Sequence, residues 1–417
     1  MTATATLDRQ TQDQVDRSNR TDQRREAIGA MMEEARLVPI KEVADRLLLS
    51  LTKVSREYVG PCPDCGGDDR FAINPEKGVY NCRSCGGGDV ITMVRLAMQV
   101  DVVAACEFIL GRKVSDQLVD PAVLERRKRE VQARKAKQER DAAYFREVAR
   151  KAAYAIWSQA EQAKGSWVVD YLRLRGLSDP AIAMALASGR IKFVRRCEYR
   201  DQKSKEKVKP VLFEGPAMVA VMQYPNNRFG GIHRTWIDLT EPKGRPVLLD
   251  AKGKPMPMKL TLGAKNRTAI RLTGTDPNTL PATLIVAEGI ETLLSVADEA
   301  GAAYGPVALW CAADRGNMGG KPLSRQQPAE PNMDDHDCWA CPPRVERLVY
   351  LGDDGESNKT TRDALTRGIL RHRRNARRDG RDLEGLVAWA GEGADFNDVR
   401  REEMMSSHVP AGRRGAL

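Results

Sequence analysis

Glu288, Asp353 and Asp395 each closely follow a short apolar run in the carboxyl-terminal third of the sequence. Such runs are typical of strands buried on both faces of a parallel sheet, and open α/β sheets place ligand chemistry at the carboxyl ends of their strands. Carboxylate oxygens suit Mg²⁺ or Mn²⁺, and these ions act on phosphates. The sequence therefore predicts a carboxylate metal centre at one sheet edge. Together with acidic neighbours, the candidate catalytic or magnesium-binding residues are Glu288, Asp353, Asp354, Glu356, Asp395 and Asp398.

The apolar periodicity also predicts the elements that hold these carboxylates. After Glu288 the period changes to that of a helix, which is predicted to end near Gly301. Residues 360–378 form a strongly basic segment, which is predicted to be an exposed helix because its arginines are spread around the axis. The strands predicted for this region are Thr283–Ala287, Val307–Cys311, 348–351 and 386–389.

Two CxxC pairs near the amino terminus have the spacing of a metal site. Sixteen residues separate the pair Cys62 and Cys65 from the pair Cys82 and Cys85. Tetrahedral zinc takes four thiolates, and two such pairs joined by a short β-hairpin supply them. The sequence therefore predicts a zinc ribbon that holds one structural Zn²⁺ ion.

The composition indicates a polyanionic partner. The 417-residue chain has 67 Lys and Arg against 57 Asp and Glu, a formal net charge of +10, and basic surface beside an acidic metal centre suits a nucleic acid. Nine cysteines, four of them in the two amino-terminal CxxC pairs, indicate metal binding in a reducing compartment rather than disulfides. Aromatic residues make up 5% of the chain, which argues against wide base-stacking platforms. We find no signal peptide and no apolar run long enough to cross a bilayer, so the predicted location is cytoplasmic, without a membrane partner.

Basic residues of the ribbon and of the middle segment are candidates for contacting nucleic acid or nucleotide phosphates. These candidates are Arg70, Arg83, Arg234, Lys259, Lys265 and Arg267. In the middle segment, the apolar pattern predicts strands at 191–194 and 219–224, and a hairpin with a glycine turn at 228–237. Residues 36–49, before the ribbon, have the pattern of one amphipathic helix.

The predicted fold class is α/β, with a zinc ribbon, a helical connector, a mixed α+β middle domain and a Rossmann-like parallel sheet. The predicted segments are a disordered tail at 1–28, the zinc-ribbon domain with flanking helices at 29–115, a charged helical connector at 116–150, the middle domain at 151–275, the carboxylate domain at 276–403 and a flexible tail at 404–417.

The carboxylate domain resembles the Toprim domain, a metal-binding module of bacterial primases, topoisomerases and some nucleases. The matching motifs are Glu288–Gly289 and Gly352–Asp353–Asp354. The segment from Cys62 to Cys85, with Asp69–Arg70–Phe71 and Gly88–Asp89–Val90–Ile91, resembles the zinc ribbon of phage and mobile-element primases. The resemblance spans nearly all of residues 36–403 and includes the segments 165–176, 233–235 and 395–398.

This resemblance implies a DNA primase that makes short RNA primers on single-stranded DNA from nucleoside triphosphates, with one or two Mg²⁺ or Mn²⁺ ions. It implies that Glu288 acts near the attacking hydroxyl or on a metal, and that Asp353 binds the divalent metal. The family carries Asp-x-Asp, whereas Gly355 occupies the second aspartate position here. Acidic neighbours would then substitute, or the site would bind fewer ions. The sequence has no GxxxxGK[ST] motif, so a separate helicase is the expected partner.

Two other functions remain open at this point. One is a Toprim nuclease or topoisomerase-like enzyme that cuts DNA with the same metals, and the other is a non-catalytic zinc-ribbon protein that binds DNA during replication. A second metal site is also considered at Cys338 and Cys341 with His336 or Asp337, but a closed zinc site needs four ligands and a fourth is not evident. Two incidental cysteines are therefore the favoured interpretation.

Overall fold

The structure is a computed structural model that describes residues 25, 27–113, 121–201, 204, 206, 209–250, 253–324, 326–353 and 355–407. The chain divides into two compact units, Met1–Asp141 and Ala142–Leu417. Most of the tail predicted at 1–28, and residues 408–417 of the tail predicted at 404–417, lie outside the described residues.

The first unit is a small antiparallel sheet with helices on either side of it in sequence. Helix α1 covers residues 27–37 and α2 begins after Pro39, so the single helix predicted at 36–49 is wrong: proline disrupts a continuous helix at this point. Phe71 and Ile73 of the central strand are fully buried against the helices. The elements are α2 Ile40–Arg46, β1 Thr52–Val54, β2 Glu57–Cys62, β3 Gly66–Asn74, β4 Val79–Cys82, β5 Gly86–Gly88, α3 Val90–Met98 and α4 Val102–Leu110, with the strands in the order β1-β2-β3-β4-β5.

A long helix, α5, runs over Pro121–Gln159 and includes most of the predicted connector at 116–150. It continues past the predicted end because its last turns are apolar. Ala153 is fully buried there, and Ile156 and Trp157 pack against the same cluster. Burial of this apolar stripe holds the end of the helix on the second unit's first sheet.

The first sheet of the second unit is antiparallel, in the order β10-β9-β8-β7-β6. The hairpin predicted at 228–237 is wrong, because these residues form one strand between two neighbours. The glycines lie inside that strand: a Cβ on Gly231 would come within 2.4 Å of the Leu262 carbonyl oxygen, so glycine permits close strand pairing. The elements are β6 Glu161–Gln162, α6 Trp167–Leu174, α7 Asp179–Ala187, β7 Ile191–Arg200, β8 Val211–Gln223, β9 Phe229–Trp236 and β10 Lys259–Gly263.

The second sheet has the order β11-β13-β12-β14-β15, and its four longer strands are parallel. All five residues of the central strand β12 are buried, as its apolar sequence predicts. The α/β fold class predicted from the sequence is confirmed. The elements are β11 Ile270–Arg271, β12 Thr283–Ala287, α8 Ile290–Ser295, α9 Ala297–Tyr304, β13 Val307–Cys311, α10 Arg315–Gly319, β14 Arg347–Gly352, α11 Lys359–Arg378, β15 Glu384–Trp389 and α12 Phe396–Ser407.

Helix α11 has the predicted position, but the prediction that it is exposed is wrong for two of its arginines. Arg367 and Arg371 are 8% and 3% exposed. Arg367 Nε donates to the Gly320 carbonyl at 2.9 Å, and Arg371 Nη1 donates to the Asp335 carbonyl at 2.7 Å. The two guanidiniums therefore supply donors to backbone carbonyls of the segment 320–343.

Among the described residues, no helix has both the length and the apolar character needed to cross a membrane.

Candidate active site and zinc centre

Four cysteine sulfurs converge at the two turns of the first unit's sheet. The Sγ atoms of Cys62, Cys65, Cys82 and Cys85 all lie within 4.8 Å of one another; those of Cys65 and Cys82 are 3.6 Å apart, and those of Cys62 and Cys85 are 3.9 Å apart. Tetrahedral zinc with Zn–S bonds of about 2.3 Å requires sulfurs about 3.8 Å apart. All four cysteines are free of disulfides. The donor set and its spacing therefore fit one zinc ion, and no second group of three or more potential ligands converges so closely in the described part of the chain.

The backbone around one of these turns favours the thiolate form of Cys82. Burial raises the pKa of Cys82, but the amide N–H groups of Cys85 and Ser84 point at its sulfur and lower the pKa to about 6. A thiolate is the form that binds zinc.

The two ribbon arginines predicted to contact DNA lie beside the cysteines. Arg70 Nη1 is 3.9 Å from the Cys65 sulfur, and Arg83 Nη2 is 2.8 Å from Asp69 Oδ2. Arg70 and Arg83 are both exposed. Their contact with DNA stays a prediction.

In the second unit, the parallel strands place Glu288 after β12 and Asp353 after β14 at the same sheet edge, and Asp395 immediately precedes α12. Burial, together with the charges of Asp395 and Glu288, raises the pKa of Asp353 to about 6. Burial also raises the pKa of Glu288, although Arg315 opposes the shift. Three carboxylates thus share one region, and the charges of Asp395 and Glu288 act on Asp353.

Asp353 has an unsatisfied oxygen. Its Oδ2 lies 3.4 Å from Thr292 Oγ1, whereas its buried Oδ1 has no hydrogen-bond partner. A buried anionic oxygen without a donor is costly unless a cation or a donor completes it. A carboxylate oxygen without a hydrogen-bond partner fits a hard divalent cation such as Mg²⁺ or Mn²⁺.

The other predicted carboxylates are placed differently. Asp395 Oδ1 accepts from the Asp398 amide at 2.6 Å, the contact of a helix N-cap. The Asp398 carboxylate faces basic side chains, with Lys243 at 4.0 Å and Arg401 at 3.7 Å. Glu356 is exposed. Asp354 lies outside the described residues.

Arg315 is a residue at this edge that the sequence analysis did not single out. Its Nε lies 3.2 Å from Glu288 Oε2, and its Nη1 donates to Thr361 Oγ1 at 2.6 Å. The preceding Asp314 binds the predicted phosphate ligand Lys265 at 2.8 Å. Both residues follow strand β13, and that position was the available signal.

A buried ion pair lies on α8, one turn after Glu288. Glu291 is 3% exposed, and its two oxygens accept from Lys259 Nζ at 2.6 Å and from the Tyr171 hydroxyl. Burial alone would raise the pKa of Glu291, but Lys259 and Tyr171 together hold it well below its ordinary value. Burial and the charge of Lys259 lower the pKa of the neighbouring His233 to about 4, so this imidazole is neutral at pH 7. The predicted phosphate ligand Lys259 therefore neutralises an internal carboxylate.

We expect Lys259→Met to destabilise the protein by about 2 kcal/mol at pH 8, because it leaves a buried carboxylate without its cation. In the folded wild type the pKa of Glu291 is lowered, so the contribution of this residue to stability is constant above pH 4.5, the ordinary pKa of glutamate. The contribution is lost only at lower pH. In the variant, burial instead raises this pKa, so stability falls as pH rises through it. Thermal unfolding should therefore occur at a higher temperature at pH 5.5 than at pH 8. The double variant with Glu291→Gln should lose this pH dependence, and an unchanged pH profile in the single variant would contradict the assignment.

The remaining predicted nucleotide ligands are Arg234 and Arg267. Arg234 is 7% exposed, its guanidinium lies 5.0 Å from the Trp236 ring centre, and its Nη1 donates to the Glu198 carbonyl. This arginine is inside the first sheet's core and is not presented to a ligand. Arg267 is exposed and has a left-handed backbone, with φ of 64°, fixed by its amide donating to Asn317.

The glycine in the second aspartate position has a conformational reason. Gly355 has φ of +77°, and a Cβ there would lie 2.8 Å from both the Glu392 Cα and the Gly391 carbonyl oxygen. An aspartate would therefore be strained by its backbone and crowded by its neighbours.

Accordingly, Gly355→Asp should lower the free energy of unfolding by about 3 kcal/mol, from both strain and crowding. Gly393→Asp is the matched control, since Gly393 has φ of +70° and open space around its Cβ position. It should cost only about 1 kcal/mol. Chemical denaturation of both variants measures the difference, and equal losses would show that crowding at Gly355 is unimportant.

Comparisons with known proteins give two matches to family models. Residues 24–119 match the CHC2 zinc finger, and residues 147–272 match a domain of unknown function, DUF7146. The amino-terminal unit thus carries a zinc ribbon of the kind found in DnaG-type primases. No curated protein matches the sequence significantly.

The chain is similar to several solved structures, each with low sequence identity. The zinc-binding and RNA polymerase domains of Aquifex aeolicus primase are 16% identical, cover 90% of this chain and 83% of that one, and give a TM-score of 0.35. A DNA primase domain from Pseudomonas aeruginosa is 13% identical over 61% of this chain and 75% of that one, with a TM-score of 0.36. A DnaG primase catalytic domain bound to single-stranded DNA is 14% identical over 63% and 79% of the two chains, also at 0.36.

Proposed function

We propose that the protein is a DNA primase that joins ribonucleoside triphosphates into short RNA primers on a single-stranded DNA template. Mg²⁺ or Mn²⁺ would bind at the carboxylate edge, the end of the parallel sheet where Glu288, Asp353 and Asp395 lie. The observation that carries the proposal is the buried, unpartnered oxygen of Asp353 among carboxylates that raise its pKa. The CHC2 zinc finger at residues 24–119 supports the choice of a primase among the enzymes that use such an edge.

Each residue at the edge has a role in this proposal. Asp353 would hold the divalent ion, and Glu288 would hold an ion or accept a proton near the attacking 3′-hydroxyl. When bound, the ion supplies stabilisation of charge on the phosphate oxygens. Arg315 bridges Glu288 and Thr361 and so fixes the glutamate's orientation. Thr292 orients Asp353.

Asp395 has a supporting role in this arrangement. Its Oδ1 caps α12, while its charge raises the pKa of Asp353 and so strengthens the local demand for a cation. Asp398 points at Lys243 and Arg401, and we assign it to holding the helix in place. Asp354 and Glu356 remain proposed replacements for the missing second aspartate.

The zinc ribbon is proposed to contact the template through Arg70 and Arg83. Both are exposed and lie on the strands and turns that hold the cysteines. Unwinding is proposed to come from a separate helicase, since the sequence has no nucleotide-binding motor motif. A replicating phage or mobile element in the bacterial cytoplasm is the proposed context.

Primer synthesis on single-stranded DNA with labelled ribonucleotides tests the proposal directly. Short labelled products are expected with Mg²⁺ or Mn²⁺, and Glu288→Gln should reduce them strongly. Nicked DNA without primers would indicate a nuclease instead. If DNA is bound but neither reaction occurs with either metal, the protein is a non-catalytic DNA-binding protein, a possibility that the glycine at position 355 makes worth testing.

A further inference from the structure

Arg70 connects the two CxxC pairs of the zinc ribbon. Its backbone carbonyl accepts from the amide of Arg83 at 2.9 Å, and Arg83 lies between the two cysteines of the second pair. Its side chain reaches the first pair, where Nη1 lies 3.9 Å from the Cys65 sulfur. The backbone of Arg70 is therefore held by one pair while its charge faces a sulfur of the other pair.

An irregularity in strand β3 brings the guanidinium to this position. Gly66 of β3 pairs with Cys62 of β2. The next pair joins Phe71 to Gly60, so residues 67–70 of β3 lie opposite a single residue of β2. Extra residues in one strand bend it locally and re-aim the side chains that they carry. The side chain of Arg70, the last of these residues, turns back to the cysteines in this way.

The Arg70 side chain passes over Gly67, which has no side chain to obstruct it. A Cβ at Gly67 would lie 2.3 Å from Arg70 Nε and 2.9 Å from Arg70 Cζ. Gly66 also has a left-handed backbone, with φ of +66° against +81° at Gly67, but nothing lies within 4 Å of its Cβ position. Backbone conformation explains glycine at both positions, and at Gly67 the path of the arginine is a second reason.

Arg83, the other exposed arginine beside the cysteines, has a different partner. Its Nη2 donates to the Oδ2 atom of Asp69 at 2.8 Å and to the Asp69 carbonyl at 3.1 Å. The charge of Arg83 is therefore paired with a carboxylate, whereas the charge of Arg70 faces a sulfur. This difference makes Arg83 a matched control for Arg70.

The charge of a tetrathiolate zinc site explains why a guanidinium would lie there. Four thiolates outweigh the charge of one Zn²⁺ ion, so the site is negative. A hydrogen bond from a cation stabilises a thiolate relative to the protonated thiol, which does not bind zinc. Contacts of this kind orient the ligands of a metal and change its affinity.

We propose that Arg70 is a positioning residue of the zinc centre: its guanidinium donates to the Cys65 thiolate and so keeps this sulfur on the metal. The role does not depend on whether Arg70 also contacts the template, and it does not rest on the proposed primase activity. Gly67 belongs to the same arrangement, because it leaves the path of the guanidinium open.

The test measures how fast the full-length, zinc-loaded protein transfers its zinc to an excess of a chromogenic pyridylazo-resorcinol chelator. Each variant is first loaded to one zinc per chain. Arg70→Gln should speed transfer about tenfold, at the lower end of the usual range for such contacts because this contact is exposed. Arg70→Lys keeps the charge and should restore most of the slow transfer. Arg83→Gln should stay within about twofold of the wild type, because it breaks only a surface ion pair.

Two glycine variants separate this contact from the folding of the ribbon. Gly67→Ala places a Cβ where Arg70 Nε lies, so it should speed zinc transfer as Arg70→Gln does. Combining the two substitutions should give no further increase, since both remove the same contact. Gly66→Ala imposes a similar backbone strain in open space and should speed transfer much less.

Cobalt-substituted protein provides a spectroscopic readout of the sulfur itself. Arg70→Gln should move the sulfur-to-metal charge-transfer absorption to longer wavelength, because a thiolate without its donor holds its electrons less tightly. Arg83→Gln and Gly66→Ala should leave this absorption unchanged.

Zinc transfer from Arg70→Gln at the wild-type rate, with an unchanged cobalt spectrum, would overturn the proposal. Equal acceleration in Arg70→Gln and Arg83→Gln would also overturn it, because this result would indicate a general effect of surface charge. Equal acceleration in the two glycine variants would contradict the assignment of Gly67 to this contact. None of these measurements uses primer synthesis, so the absence of that activity would not affect them.

Discussion

Asp353→Asn is expected to reduce metal-dependent primer synthesis about 10³-fold, equivalent to about 4 kcal/mol of transition-state stabilisation. Asparagine keeps the size of the side chain but removes the charge that a divalent ion requires. The Oδ1 atom of Asp353 is buried and has no hydrogen-bond partner, so the substitution removes the charge at the position where we propose that the ion binds. Labelled-primer assays at saturating Mn²⁺, together with Mn²⁺ binding measured separately, check both the catalytic loss and its cause.

The matched control is Glu384→Gln, which neutralises a carboxylate at the opposite end of the same sheet. Glu384 begins β15 and pairs with Arg347 at 2.6 Å, on the partly exposed surface. Surface pairs of this kind contribute about 1 kcal/mol or less, so its activity should stay within twofold of the wild type. Equal losses in the two variants would mean that Asp353 has no special role.

Cys82→Ser should unfold the zinc ribbon while leaving the second unit folded. Loss of one of four thiolates removes most of a zinc binding energy that is about 10–16 kcal/mol in small zinc domains, as large as the whole stability of a typical domain. The second unit, Ala142–Leu417, has its own buried cores and none of the four ligands. Zinc content and limited proteolysis should therefore show loss of the metal and cleavage confined to the first unit.

Cys106→Ala provides the comparison for this experiment. Cys106 is 1% exposed in the same core as the ribbon's aromatic residues but is not one of the four converging cysteines. Its replacement should cost about 1–2 kcal/mol by removing one buried atom, with the zinc content unchanged. Retention of zinc and full protease resistance in Cys82→Ser would contradict the assignment of the ribbon.

The elements that sequence predicted best are those whose local pattern and environment agree. The β12 run is apolar at every position and is buried at every position. The cysteine spacing specifies the zinc site because a tetrahedral metal allows few arrangements of two CxxC pairs. Prediction failed where glycine has two meanings: Gly230 and Gly231 suggested a turn, but they permit close packing inside β9.

At the site, local pattern located the acidic strand ends but not the pairing of charges. Glu291 and Lys259 lie 32 residues apart, and nothing near either residue indicates that they meet in the protein's interior. The same holds for Arg234, which packs on a tryptophan two residues along the same strand and donates to the carbonyl of Glu198 on β7, two strands away. Long charged side chains are usually exposed, so Lys259 and Arg234 were predicted to be exposed ligands of phosphate. Only the tertiary contacts show that Lys259 pairs with a buried carboxylate and that Arg234 is buried.

The bonds from Arg367 and Arg371 to the segment 320–343 also restrict how this protein can vary among relatives. Deleting the segment would leave two buried guanidiniums without acceptors, and replacing the arginines with small residues would leave the segment's carbonyls without donors. Relatives should therefore contain both the segment 320–343 and the two arginines of α11, or neither. A chimera that replaces the segment 320–343 with the short connection of a relative, while keeping α11, should fold only if apolar residues replace both arginines.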